Sequence, residues 1–166
     1  MNGKLLVILG IALANTILVF VLGLVFGLIY STGYSFQDIV SHLYMLGIYF
    51  AQAVAHMLAA LMIVVWLRNK TLAIVVLVIY QFIFEPLLRL VLNKYVLAKM
   101  GLFFPMRVIT RLIPLPDLAI TEMLKANSEF GQMAQKLPIG VNLLLVAGYS
   151  LAFYLITRMI LLKRNL

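Results

Sequence analysis

The chain contains no cysteine, so a disulfide framework, a thiolate metal site and a cysteine nucleophile are all excluded. Acid is nearly as scarce. Only five Asp and Glu stand against thirteen Lys and Arg among 166 residues, and charged residues make up 11% of the whole. Sequence motifs for chemistry are missing as well. There is no G-x-x-x-x-G-K-S/T loop, so this chain does not hydrolyse ATP by that route, and no H-E-x-x-H or G-x-S-x-G occurs. The two histidines, His42 and His56, are fourteen residues apart, with His42 expected at an interface and His56 in a buried span. That is too poor a set for a metal centre. Without a constellation for catalysis, metal or cofactor, the classes that remain are transport, scaffolding and assembly.

What is abundant is apolar sequence: 65% of residues, with a mean hydropathy of +1.13. A water-soluble domain of this size does not have that composition. The net charge of +8 is topological rather than a nucleic-acid footprint, because nearly all cations sit in short clusters beside apolar runs, at the level of lipid headgroups. No nucleic-acid partner follows from it.

A hydrocarbon core about 30 Å thick takes roughly 20 apolar residues in a helix. Four runs meet that length, at about 5–30, 43–67, 71–92 and 139–162. Each can cross as a helix, which pairs every backbone amide and carbonyl inside the segment. The expected fold class is therefore all-α, a polytopic membrane bundle forming one transmembrane domain. The opening residues have some features of a secretory signal, with Lys4 ahead of an apolar run and a small-x-small step at Ala12-Leu13-Ala14. The run continues to Tyr30, longer than the apolar core of a signal, so it is read as a span. Lys4, the Arg68-Asn69-Lys70 turn and Lys163-Arg164 fall on one side when four spans alternate. By the bias of short loops that side is the cytoplasm, with both termini inside.

The connection 93–138 is the least lipid-like part of the chain. Gly101-Leu102-Phe103-Phe104-Pro105 and Ile113-Pro114-Leu115-Pro116 are apolar and proline-broken, which suits chain lying in the interface or wedged between helices. Beyond them Asp117 can cap a short helix with Ile120, Met123 and Leu124 on one face, and Phe130, Met133, Ala134 and Leu137 repeat the pattern. Two short external amphipathic helices are expected over 117–137, and an ordinary surface loop packing its apolar residues onto the bundle is the alternative.

Polar residues inside a span cost free energy and need a partner or a purpose. Gln81, Glu85 and Arg89 are four apart on the third span, in the favourable order for an i, i+4 ion pair, and Pro86 should kink the helix by freeing the Phe82 carbonyl. This set either fixes helix packing or gates the outer end of a pathway. On the second span Gln52 and His56 are also i, i+4, suited to an interhelical hydrogen bond or to a proton pathway. Ala51, Ala55 and Ala59, and the Gly23-x-x-x-Gly27 pair, offer close-contact helix faces. Asn15, Thr16, Asn142 and Ser150 are read as bridges between helices.

The order of these features resembles the membrane subunit of type-2 ABC exporters. An alanine-rich span and a tight basic turn (AVAHMLAALMIVVWLRNKT) lead into a span closing on an aromatic-acid-proline-leucine signature (VIYQFIFEPLLRLVL). A proline-rich outer segment (FFPMRVITRLIPLPDL) and a last span with a basic tail (YSLAFYLITRMILLKRNL) follow. The resemblance implies that the four spans correspond to the third to sixth of a six-span permease, with 117–137 as the paired external helices. Nothing here matches the amphipathic helix, the first two spans or the coupling helix of that family. It further implies a separate nucleotide-binding ATPase subunit and a second permease chain as partners, with Arg68 and Lys70 on the one cytoplasmic loop left to meet the ATPase. A non-transporting scaffold or assembly protein, or a small channel or carrier using His56 and Glu85, are the other readings.

Overall fold

A computed structural model describes residues 2–30, 40, 42–95, 100–113 and 137–164. Among the described residues the chain is helical, with no strand. Helix α1 runs Asn2–Tyr30, α2 Tyr44–Leu67 and α3 Lys70–Ile79. A π-helical turn, Tyr80–Phe84, joins α3 directly to α4, Glu85–Tyr95. A 3-10 turn at Met100–Phe103 and a short helix α5, Pro105–Thr110, come next, and α6 spans Ile139–Arg164.

Four stretches are long and apolar enough to cross a membrane: Gly3–Ile29, Tyr44–Leu67, Lys70–Arg89 and Ile139–Lys163, with mean hydropathies of 2.8, 2.0, 2.1 and 2.0. Their boundaries lie within a few residues of those expected from the apolar runs. Large apolar side chains such as Leu6, Leu28, Ile74, Phe82, Leu144 and Leu151 point away from the bundle and are exposed. On a soluble protein such continuous apolar surface would drive association. Lipid tails are as apolar as these side chains, so in a membrane the same exposure costs nothing. The four helices are consistent with an integral membrane protein.

Helix α2 is the centre of the bundle, packing against α1, α3, α5 and α6. Its small residues allow that. Ala55 and Ala59 are buried within one core cluster with Ile48, Leu58, Val146 and Phe153, and Ala51 packs half-buried beside them. Helix α1 meets α2 through Ile8 and Ala12, and Asn15 Nδ2 donates a hydrogen bond to the Tyr49 hydroxyl at 3.0 Å. Gly23 behaves differently from the alanine ladder, since a Cβ added there would meet nothing within 4 Å. The Gly23-x-x-x-Gly27 face therefore makes no close approach at Gly23 among the described residues.

The turn between α2 and α3 takes two residues. Arg68 adopts the left-handed conformation (φ 59°, ψ 4°) and its amide bonds the Val64 carbonyl, closing α2. Asn69 is extended and its Oδ1 accepts from the amides of Thr71 at 3.0 Å and Leu72 at 3.3 Å, opening α3. Arg68 and Lys70 are both exposed at this end of the bundle.

Segment 100–113 is partly buried, although Phe103 stays exposed. Met106, Val108, Ile109 and Leu112 are buried in the core cluster with residues of α2 and α6. Of the two arrangements open for the proline-broken chain, the described part is wedged between helices, while Pro114-Leu115-Pro116 lies outside the described residues. The paired external helices expected at 117–137 lie outside the described residues, apart from Leu137. Asn69→Ala, which removes the cap of α3, is expected to lower the unfolding free energy by about 0.5–2 kcal/mol. Equilibrium unfolding in mixed micelles measures it, and an unchanged midpoint would contradict the capping role.

Candidate functional site: a charged pocket between the broken third helix and a wedged turn

Pro86 dictates the local path of the third helix. It has no amide to donate, and its ring conflicts with the carbonyl four residues earlier, that of Phe82. The backbone widens in response. Over Tyr80–Phe84 the turn becomes π-helical, and the Glu85 amide bonds the Tyr80 carbonyl five residues back. The expected disturbance beside the carboxylate is thus a wide turn, placed N-terminal to the proline.

The partner of Glu85 is not the one its spacing suggests. Arg89 donates from Nε to the main-chain carbonyl of Glu85 at 3.3 Å, an i, i+4 contact that uses the backbone and leaves the carboxylate to other donors. The carboxylate turns towards α5, where Oε1 accepts from the Arg107 amide at 2.7 Å and Oε2 from the Met106 amide at 3.2 Å. Glu85 is 2% exposed, so this pairing is shielded from solvent.

The sequence of α5 explains why those amides need an outside acceptor. The first amides of a helix have no intrahelical carbonyl to meet. Ser, Thr, Asp or Asn at the cap position would normally accept from them, but here that position is Phe104, which makes no side-chain bond. Pro105 follows and brings no amide of its own. The next two donors, Met106 and Arg107, are capped from another helix by Glu85. Its negative charge also suits the positive end of the helix. A second tie comes from α6, where the Tyr149 hydroxyl donates to the Phe103 carbonyl. Tyr149 in turn stacks on Phe153 one turn along, with ring centroids 6.2 Å apart.

Three arginines converge beside this clamp. Arg107 is buried and its Nη1 reaches the Gly101 carbonyl at 3.4 Å. Burial pushes its guanidinium down to about 10, the neighbouring Arg111 and Arg89 push the same way, and Glu85 opposes them. At neutral pH it stays charged. Arg111 is held below the usual arginine range by burial first and Arg89 second. Together with Glu85, Gln81, Phe82, Pro86, Met106 and Thr110, these side chains line a partly open cavity of about 280 Å³. Glu85 is the sole acidic residue among the described ones, so the pocket holds one carboxylate against three guanidinium groups.

The structure thus brings Gln81, Glu85 and Arg89 to one cavity even though the wide turn disturbs their strict helical spacing. Gln52 and His56 are not part of its lining. On α2, His56 Nδ1 lies 3.1 Å from the Gln52 carbonyl, a contact that requires the ring proton on Nδ1 and leaves Nε2 as the acceptor of the neutral ring. Gln52 Oε1 is buried and has no hydrogen-bond partner among the described residues. Arg107 and Arg111 were not singled out from the sequence as site residues. Their signal was present in the uncapped Phe104-Pro105 start and the two basic residues that follow it. Among the described residues no three His, Asp or Glu side chains gather to hold a metal. The chain matches no family model, no curated protein and no solved structure.

Glu85→Leu removes both acceptors from buried amides and takes a carboxylate away from the guanidinium groups that line the same cavity. The expected cost is about 2–5 kcal/mol, concentrated in α5. Hydrogen exchange should show faster exchange at the Met106 and Arg107 amides with protection of α2 retained. Equal exchange at those amides in the two proteins would contradict the clamp.

Proposed function

We propose that this chain is the transmembrane subunit of an ATP-driven exporter of the type-2 ABC kind, working with a second permease chain and a separate nucleotide-binding ATPase subunit. In this reading it sits in a bacterial cytoplasmic membrane with both termini and the Arg68–Lys70 turn on the cytoplasmic side. Glu85 lies roughly 20 Å along the third helix from that turn, so the charged pocket belongs to the outer half of the membrane. The observation that carries the reading is that pocket: a partly open cavity of about 280 Å³ with four charged side chains, at the end of an otherwise apolar span. Polar groups at such a depth mark a path for polar cargo. The exposed Arg68 and Lys70 form the short loop offered to the ATPase.

A second reading is a non-transporting membrane scaffold or assembly protein. The observation favouring it is that both carboxylate oxygens of Glu85 are used to hold α5 in place, a structural task. Purification in mild detergent from native membranes separates the two. Under the transport reading a nucleotide-binding subunit and ATP hydrolysis accompany the chain, and Gln81→Leu with Arg89→Leu lowers turnover about tenfold, equivalent to roughly 1.4 kcal/mol, while the complex stays assembled. Recovery of the chain without an ATP-hydrolysing partner contradicts that reading. Normal turnover with both residues replaced favours the scaffold.

A further inference from the structure

The pocket's charges are unbalanced in a way that selects a ligand. Glu85, the one carboxylate among its described lining residues, already accepts two backbone amides, from Met106 and Arg107. Arg89 bonds the Glu85 main-chain carbonyl through Nε, and its side chain lines the cavity with that of Arg111. Arg107 is fixed behind them by its bond to the Gly101 carbonyl. Three cations lining one small cavity repel one another. An anion among them relieves that repulsion.

Depth and shape narrow the class. The apolar stretch of the third span ends at Arg89, so the guanidinium groups lie where hydrocarbon gives way to headgroups. The lining also has an apolar part: Phe82, which is 69% exposed, Pro86 and the buried Met106. A volume of about 280 Å³ is at the lower end of ligand cavities, enough for a headgroup rather than a whole lipid. Planar guanidinium forks pair with phosphate oxygens two at a time, and more than one fork can engage a single tetrahedral phosphate. We propose that this pocket binds a phosphate group, carried either by an anionic lipid headgroup or by a soluble phosphoester, between Arg89 and Arg111 with Arg107 behind. As a statement about what enters the outer end of a transport path it rests on the proposed function; as a statement about binding it is tested on this chain alone.

The test uses the full chain, delipidated in an uncharged detergent, with phosphatidylglycerol and glycerol phosphate as probes and thermal unfolding and native mass spectrometry as readouts. Saturable binding of phosphatidylglycerol is expected, weakened in about 0.5 M salt, where charges more than a few Å apart are screened. Arg89→Gln and Arg111→Gln should each weaken it roughly tenfold or more. Arg111→Lys should retain an intermediate affinity, and Arg68→Gln at the far end should leave binding unchanged. Competition by glycerol phosphate shows that the phosphate is read by itself, whereas binding of the lipid with glycerol phosphate inert shows that the headgroup must arrive from the bilayer; both support the site. The proposal is overturned if neither probe binds saturably, or if Arg68→Gln weakens binding as much as Arg111→Gln. Absence of binding beside intact ATP turnover in the purified complex would remove this inference and leave the transport role standing, and binding by a chain that recruits no ATPase would do the reverse.

Discussion

Backbone that is not part of a long helix can sit within a membrane bundle only where protein supplies its hydrogen-bond partners. In this chain that supply comes chiefly from one carboxylate. Glu85 accepts the two leading amides of α5, a helix of six residues whose own cap position is Phe104 and whose first residue is a proline. With those donors met, Met106, Val108, Ile109 and Leu112 can be buried against α2 and α6. Without them the segment would have to retreat to water. The wedge, the pocket and the gathering of three arginines all follow from this contact.

Pro86, next to that carboxylate, explains why the third helix is broken where it is. A straight α-helix through Phe82 would meet the ring of Pro86. The π turn at Tyr80–Phe84 resolves that conflict and at the same time sets Glu85 facing α5. A wide turn, a proline and a buried acid within seven residues are therefore parts of one local solution. That acid is the only one among the described residues, and a change of partner for it would be felt by Arg89, Arg107 and Arg111 together.

Much of the architecture was legible in the sequence because lipid imposes a length and a polarity that can be counted. The four apolar runs, the basic turn and the packing role of Ala55 and Ala59 depend on local composition, and local composition is visible. The partner of Glu85 was not. The nearest cation by helical spacing is Arg89, but the groups that satisfy the carboxylate are backbone amides twenty-one and twenty-two residues further on, and amides have no sequence signature. Pro86 announced a disturbance without disclosing its form, since a kink and a wide turn both relieve the same clash. Gly23 shows the limit of small-residue patterns: the spacing permits close approach, but a second helix must also arrive there, and none does among the described residues.

The central claim is that Glu85 holds α5 inside the bundle. Because the chain has no cysteine, a single Val108→Cys change places one unique label site at a position that is 1% exposed. Reaction with a membrane-impermeant maleimide should be slow in the otherwise native chain and fast when Glu85→Leu is added. Rapid labelling of Cys introduced at this position with Glu85 intact would contradict the account.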